Sequence, residues 1–295
     1  MTVVAVIGFG EAGPVFARAF AESGAEVRAF DVAAAGAPEA FRARTSPGVR
    51  LCEDRADAVR GADVVLSTVT ASNAEAAASE LSSLLSEGQT YVDLNSCGPD
   101  AKRAIAARVR PAVFVEAVAM DTVPVRGAEV PILLSGPDAA SAEPRLRAFG
   151  LEAEAIGPEV GMASTVKLCR SVVIKGMEAV FAEALLAAGA AGVEDRVIGS
   201  LDATFPGIDW TKTSAYLVSR LAIHGARRAG EMVEASRLLR TLGIDPLVTD
   251  AVAERHRWAA SSGLSERYLS KREDGPTLTD FLTAIAKKES LQNDQ

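Results

Sequence analysis

The stretch VVAVIGFGEAGPVFARAF, residues 3–20, decides the fold. It joins a short apolar run, typical of a buried parallel strand, to an Ala-rich segment typical of a helix. Between the two stands a GxGxxG pattern, whose glycines are Gly8, Gly10 and Gly13. In this strand-to-helix context the glycines permit a tight turn, backbone approach to a pyrophosphate and close packing of the helix. The stretch therefore predicts a dinucleotide-binding loop.

The same loop and the next strand supply the expected cofactor contacts. Asp31 ends the second apolar run, where its carboxylate would accept hydrogen bonds from ribose hydroxyls and repel a 2′-phosphate. The sequence therefore predicts NAD, and NADP is the alternative if Arg42 and Arg44 fold back toward Asp31. We assign cofactor binding at this end of the site to Gly8, Phe9, Gly10, Glu11, Ala12, Gly13 and Asp31.

Apolar runs alternate with Ala-rich segments through the first half of the chain, which predicts a doubly wound, mostly parallel α/β sheet of the Rossmann type. From about Ser164 onward the pattern is helical. We predict an NAD(P)-binding domain over 1–160 and an all-helical domain for substrate binding and dimerisation over 161–295. The expected strands are Val3–Gly8, Val27–Asp31, Val64–Val69, Thr90–Leu94, Val113–Val118 and Val130–Leu134.

Composition and charge exclude several classes of function. The formal net charge is -8 and no long basic run occurs, so nucleic acid and anionic membrane surfaces are poor partners. The two histidines and three cysteines lack the spacing of metal ligands, and we expect no metal site. No charge-free stretch reaches membrane-spanning length, and the N-terminus lacks the features of a signal peptide. We expect a soluble, cytoplasmic protein.

An apolar helical stretch, GMASTVKLCRSVVIKGMEAVF over 161–181, carries Lys167 inside it. The lysine could simply extend its ammonium group to the helix surface while its stem stays buried. Alternatively, partial burial disfavours the charged form, and a neutral amine could then accept a proton during a reaction.

These motifs resemble the 6-phosphogluconate dehydrogenase and beta-hydroxyacid dehydrogenase superfamily over nearly the whole chain. The stretches IKGMEAVFAEALLAA, FPGIDW and HGARRAGEM resemble the C-terminal domain of a subgroup of bacterial dehydrogenases. The resemblance implies that Lys167 is the general acid/base. It also implies that a hydride moves between the cofactor and a small polar, hydroxyacid-like substrate, as an alcohol and a carbonyl interconvert.

The resemblance also implies further contacts. Ser171 stands one helical turn after Lys167, where the family has an asparagine that holds the substrate. The neighbouring Arg170 is either an anion clamp or a solvated charge. After the run ending near Leu94, the resemblance gives Asn95 to the cofactor and Ser96 to the substrate. The end of the run before it borders the nicotinamide, through Thr68 and Val69.

The family's Ser-Gly-Gly run, which binds the substrate carboxylate, is replaced here by Met120, Asp121 and Thr122. We assign Thr122 to substrate binding. The acid at Asp121 disfavours a simple 3-hydroxypropionate-type substrate unless Arg126, Arg170 or a second subunit offsets its charge. Decarboxylation of the 6-phosphogluconate type is not expected, because Ile174 stands where those enzymes have a glutamate.

Two other functions remain open. Imine reductases share the fold, although they typically replace the lysine, and a non-catalytic NAD(H)-binding protein would need no catalytic group. Within a predicted helix over 211–241, His224, Arg227 and Arg228 either reach a substrate anion or form an interface or surface cluster. An apolar stripe on that helix predicts a homodimer.

Overall fold

The computed structural model describes residues 1–261, which form two compact units. The N-terminal unit is Met1–Lys167, and the helical unit is Leu168–Gln295, described as far as Ser261. The division falls within a single continuous helix, Met162–Ala191. The domain boundary that the sequence places after residue 160 therefore remains a prediction.

The N-terminal unit is built on one eight-stranded sheet in the order β3-β2-β1-β4-β5-β6-β7-β8. All neighbouring strands are parallel except β6 and β7. The first six positions follow the doubly wound order that binds dinucleotides, and the predicted fold class is confirmed. The strands are β1 Val3–Ile7, β2 Glu26–Phe30, β3 Val49–Leu51, β4 Val64–Ser67, β5 Thr90–Asp93, β6 Val113–Ala119, β7 Ile132–Ser135 and β8 Ala153–Gly157.

Helices cover both faces of this sheet, and alternate residues of each buried strand serve separate cores. Val4 and Val6 pack in one core with Phe16, while Ala5 and Ile7 pack in the other. The helices of this unit are α1 Gly13–Glu22, α2 Pro38–Arg42, α3 Arg55–Val59, α4 Ala74–Leu81, α5 Pro99–Arg108, α6 Val123–Arg126 and α7 Ala139–Ala148.

A row of polar side chains crosses four neighbouring strands in register. Ser67 pairs with Asp93, Asp93 with Glu116, and Glu116 with Ser135. All four residues are completely buried. Ser67 and Asp93 end their strands, at the sheet edge where ligands bind in this architecture. These four buried side chains, called the polar row below, hold neighbouring loop and helix segments through hydrogen bonds.

The helical unit packs around its own apolar core. Gly225 of the third helix approaches the fourth so closely that a β-carbon there would lie 2.7 Å from the His256 carbonyl oxygen. The apolar stripe expected on 211–241 packs largely into this core, where Val218, Leu221 and Met232 are buried. The helices are α8 Met162–Ala191, α9 Glu194–Thr204, α10 Trp210–Thr241 and α11 Leu247–Ser261. Between residues 1 and 261, no helix is long and apolar enough to cross a bilayer.

Candidate functional site

The glycine loop between β1 and α1 has the geometry that the sequence predicts for a pyrophosphate cradle. A β-carbon at Gly13 would lie 2.1 Å from the Gly8 carbonyl oxygen, so only glycine lets α1 start this close to the strand. At Gly10 no atom lies within 4 Å of where a β-carbon would be, which leaves space for a ligand. No side chain caps α1. Its first amides, with their partial positive charge, suit a phosphate group.

Asp31 follows β2 and is held by two backbone amides. Its Oδ2 accepts a hydrogen bond from the Phe9 amide at 2.6 Å, and its Oδ1 accepts one from the Ala33 amide at 2.8 Å. Each carboxylate oxygen can accept more than one hydrogen bond, so capacity remains for ribose hydroxyls. The carboxylate is thus fixed beside the glycine loop, as the cofactor prediction requires.

A pocket of about 540 Å³ opens next to Asp31. Arg42 lines this pocket together with Asp31, and Arg44 donates a hydrogen bond to the Phe9 carbonyl at 3.4 Å. The two arginines that the sequence named as the route to NADP therefore lie around the glycine loop and its acid. Other residues of the lining include Phe30, Val32, Leu51, Cys52, Glu53 and Arg55.

Three more of the expected cofactor residues follow the strand ends beyond the glycine loop. Thr68 follows β4 and its Oγ1 donates to the Gly8 carbonyl at 2.7 Å, and Val69 beside it is half-buried. Asn95 follows β5 and its Nδ2 donates to Ser67 Oγ at 2.9 Å. Within the described residues, the buried Asn95 Oδ1 accepts no hydrogen bond. A buried acceptor of this kind suits a ligand donor.

Lys167 and Ser96 lie 71 residues apart in sequence and meet directly. Lys167 is half-buried on α8, and its Nζ donates a hydrogen bond to Ser96 Oγ at 2.9 Å. An ammonium group only donates, so the Ser96 oxygen is the acceptor and its hydroxyl hydrogen can be donated elsewhere. The structure therefore brings together the two residues that the sequence assigned to proton transfer and to substrate binding.

A buried ion pair, which the sequence did not predict, holds the loop that carries Asn95 and Ser96. Lys102 of α5 is fully buried, and its Nζ donates to Asp93 Oδ1 at 2.7 Å. It also donates to the carbonyl oxygens of Asp93 and Ala117. The Asn95 amide donates to the same Asp93 carboxylate at 3.0 Å. The acid that ends β5 could have been suspected from the sequence, but its partner could not.

Further along α8, Ser171 is buried and its Oγ accepts a hydrogen bond from Lys175 Nζ at 3.0 Å. Lys175 forms an ion pair with Glu231 of α10 at 2.8 Å. Burial lowers the pKa of Lys175, and the carboxylate of Glu231 opposes that change. By contrast, Arg170 is exposed. The structure thus separates the two neighbours of Lys167 into an interior hydroxyl and a surface cation.

The chain is similar to proteins of known family. The NAD binding domain of 6-phosphogluconate dehydrogenase matches residues 3–134, and DUF1932, a domain of unknown function, matches residues 188–259. A conserved hypothetical protein from Sinorhizobium meliloti is 36% identical, with 97% of this chain and 96% of that chain covered and a TM-score of 0.78. The chain belongs to the 6-phosphogluconate dehydrogenase and 3-hydroxyacid dehydrogenase superfamily.

Two further structures are similar to this chain. A conserved protein of unknown function, reported as structurally similar to 3-hydroxyacid dehydrogenases, is 30% identical, covers 89% of this chain and 98% of its own, and has a TM-score of 0.75. The 3-hydroxyisobutyrate dehydrogenase of Mycobacterium tuberculosis shares the fold at 18% identity, with 97% and 99% coverage and a TM-score of 0.74. Imine reductases share the fold as well.

The segment that replaces the superfamily's Ser-Gly-Gly run is a helix start. Thr122 precedes α6 without capping it through its side chain, and its amide donates to Asp121 Oδ1 at 2.7 Å. Arg126 Nε lies 3.6 Å from Asp121 Oδ2, with both side chains about half exposed. Arg126, which the sequence named as a cation that could offset Asp121, therefore lies close enough to do so in part.

The sequence left open the roles of His224, Arg227 and Arg228. In the structure, both arginines form ion pairs within the helical unit. Arg228 is buried and forms an ion pair with Glu178, while Arg227 pairs with Glu231 at 2.5 Å. Desolvation, reinforced by nearby arginines, lowers the pKa of His224 to about 4. The Arg228–Glu178 pair is an interior contact, so the interpretation of Arg228 as part of a surface or interface cluster is wrong. Within residues 1–261, no group of histidine, cysteine and acidic side chains could hold a metal ion.

Two buried groups in this unit carry opposite pH dependence. Burial lowers the pKa of His256 to about 4, and burial raises the pKa of Glu178 to about 7. Stability from neutral His256 is present above about pH 6.5 and is lost as the pH falls toward 4. Stability from Glu178 is present below about pH 4.5 and is lost as the pH rises to 7. The two slopes therefore offset each other between about pH 4.5 and 6.5.

The variant His256→Gln should remove the contribution of the histidine to the pH dependence of stability and leave that of Glu178. Without the histidine, the change in unfolding free energy from pH 7 to pH 5 should be more favourable than in the wild type by about 2 kcal/mol. Urea unfolding followed by tryptophan fluorescence measures this, since the chain's two tryptophans, Trp210 and Trp258, lie in the helical unit. Equal acid destabilisation of wild type and His256→Gln would contradict the assignment.

Proposed function

We propose that this chain is an NAD-preferring oxidoreductase that interconverts an alcohol and a carbonyl on a small, hydroxyacid-like substrate, with Lys167 as general acid/base. The observation that carries the proposal is the hydrogen bond from Lys167 to Ser96, at the carboxyl end of β5. It lies in the same unit as the glycine loop. Superfamily membership supports hydride transfer as the reaction class.

In the proposed reaction, the cofactor would exchange the hydride and the protein would exchange the proton. The nicotinamide supplies the hydride acceptor or donor. During oxidation, a neutral Lys167 amine takes the hydroxyl proton, and during reduction the ammonium form returns a proton to the carbonyl oxygen. Ser96, which accepts from Lys167, turns its own hydroxyl hydrogen toward the same substrate oxygen. Lysine and serine would thus bracket the reacting oxygen.

The remaining substrate contacts are proposed to be donors. Ser171 accepts from Lys175, so its hydroxyl hydrogen is available to a substrate acceptor. Thr122 can offer a hydroxyl, and Arg170 can offer a guanidinium group for a carboxylate. A set made mostly of donors favours a substrate rich in acceptor oxygens. A carboxylate-bearing alcohol fits that description better than an uncharged amine does.

Asp31 supports a preference for NAD, because its carboxylate is held beside the glycine loop by the Phe9 and Ala33 amides, and an acid after the second strand of this fold accepts from ribose hydroxyls. Arg42 in the neighbouring pocket is the group that would favour NADP. Under this proposal the carboxylate dominates, since a 2′-phosphate would face it directly. The cofactor residues proposed are the glycine loop, Asp31, Thr68, Val69 and Asn95.

A substrate screen tests the proposed function. The purified chain is incubated with small hydroxyacids and other polar alcohols, with NAD and in parallel with NADP, and NADH or NADPH absorbance is followed. We expect turnover of at least one hydroxyacid and a higher kcat/KM with NAD. A strong preference for NADP would overturn the interpretation of Asp31. The absence of turnover across the panel in both directions, with tight NAD(H) binding, would instead indicate a non-catalytic NAD(H)-binding protein.

A second candidate function is reduction of a C=N bond, which the shared fold of imine reductases supports. Adding cyclic imines with NADH and NADPH to the screen separates the two. Imine reduction without hydroxyacid turnover would favour this alternative.

We also propose that the chain is a homodimer. The apolar stripe on α10 no longer supports this, because it packs inside the helical unit. Support comes instead from α8, where Val173 and Val180 stand seven residues apart and are 60% and 61% exposed. Apolar side chains at that spacing share one helix face.

A further inference from the structure

Glu116 lies in the middle of β6, within the apolar run VFVEAVA, and is completely buried. A buried carboxylate normally needs a cation, yet within the described residues Glu116 forms no ion pair with a lysine or arginine. Its oxygens instead accept from the Gly161 amide, from the Ser164 amide at 2.7 Å and from Ser135 Oγ at 2.8 Å. Two of these donors, the amides of Gly161 and Ser164, lie at the start of α8, and the third, Ser135, ends β7.

Ser135 extends this arrangement to a third amide. Its hydroxyl donates to Glu116 and accepts from the Ala163 amide at 3.1 Å. The first amides of a helix have no partners within the helix, and they carry the positive end of its dipole. Glu116 and Ser135 together satisfy the amides of Gly161, Ala163 and Ser164. The start of α8 is therefore fixed to two neighbouring strands of the sheet.

We propose that Glu116 is a positioning residue for the reaction: its carboxylate fixes the first turn of α8 and thereby sets the location of Lys167 Nζ against Ser96. The proposal rests on the function proposed above. Lys167 follows Ser164 by three residues, which is about 4.5 Å along the helix. So short a spacing transmits any shift of the capped turn to the lysine.

The opposite partner of the contact is fixed from the adjacent strand. Asp93 of β5 is the register neighbour of Glu116, and it binds Lys102 and the amide of Asn95, which precedes Ser96. Two adjacent members of the polar row thus hold the two sides of the Lys167–Ser96 hydrogen bond. Glu116 holds the helix and Asp93 holds the loop. A displacement of about 1 Å in such a contact can cost roughly 100-fold in rate.

The variant Glu116→Gln tests the proposal, because an amide cannot accept from all three donors without presenting its own N–H groups to them. We expect faster amide exchange at residues 161–167, and a rate of Lys167 acetylation by acetic anhydride at fixed pH that differs from the wild type. We also expect a loss in kcat of roughly 10- to 100-fold with little change in KM. Ser135→Ala, which keeps the carboxylate, should show the same changes to a smaller degree and carries the test if Glu116→Gln does not fold.

Glu143→Gln is the matched control. Glu143 also accepts from a backbone amide, that of Ala155 at 2.9 Å, and lies in the same unit on α7. Its loss should leave Lys167 acetylation and kcat unchanged. Faster exchange at 161–167 with wild-type acetylation and kcat would show that Glu116 only stabilises the helix, and would overturn the positioning role. Lysine acetylation needs no substrate, so it tests the positioning even if the proposed dehydrogenase activity is wrong.

Discussion

Replacing Lys102 by methionine is expected to lower the free energy of unfolding of the N-terminal unit by about 3–5 kcal/mol. Lys102 and Asp93 are both fully buried, and the ammonium group donates to the carboxylate and to two backbone carbonyls. Methionine fills much of the same volume but leaves Asp93 charged and unpaired in the interior. An uncompensated buried charge costs far more than the loss of a surface pair.

Urea unfolding followed by circular dichroism measures the effect, with separate transitions fitted if the two units unfold independently. Lys212→Met is the matched control, because the Lys212 side chain is 87% exposed in its pair with Asp209 and should change stability by less than about 1 kcal/mol. The double variant Lys102→Met with Asp93→Asn should recover part of the loss, since no charge is then left buried. If Lys102→Met were as mild as Lys212→Met, the buried pair would not hold the Asn95–Ser96 loop as described.

The local pattern of the sequence was sufficient to predict the fold class. Strand β1, the glycine loop and α1 form one contiguous signal, and all six expected strands are present. The sequence did not reveal β3 or β8, because a run as short as Val49–Leu51 and a segment such as Ala153–Gly157 give little periodicity. Their place is set by pairing with neighbouring strands, which is a tertiary effect.

The sequence could suggest candidate site residues where a motif is local, but it could not identify their partners in distant segments. Lys167 and Ser96 could each be assigned by resemblance, but their hydrogen bond depends on the folded sheet. Glu116 left a visible signal, a lone acid inside an apolar strand. Its donors, at the start of α8, could not be read from the sequence. The apolar stripe on α10 shows a different limit. Its periodicity identifies a buried face, but it does not say whether another helix of the same unit or a second subunit covers that face.

The second large effect concerns Lys167 itself. Lys167→Met is expected to lower kcat/KM by roughly 10²–10⁴-fold on the substrate found in the screen, because a positioned acid/base contributes about that much to rate. Binding of NAD should be unchanged, since the glycine loop and Asp31 do not depend on the lysine. Methionine keeps much of the apolar stem and removes only the group that exchanges protons, so folding should be preserved.

The matched control for this experiment is again Lys212→Met, which removes one exposed lysine from the helical unit. It should retain wild-type kcat/KM and wild-type NAD affinity. A fall in both variants would point to a general effect of lost charge, whereas a fall confined to Lys167→Met would locate the effect at the site.

The most direct test of the proposed chemistry is the ratio of kcat/KM between wild type and Lys167→Met for hydroxyacid oxidation, with NAD affinity measured on the same samples. The proposal predicts a loss of at least about 100-fold with NAD affinity unchanged. Oxidation at the wild-type rate by a variant that has no amine at position 167 would contradict the role of Lys167 as the general acid/base.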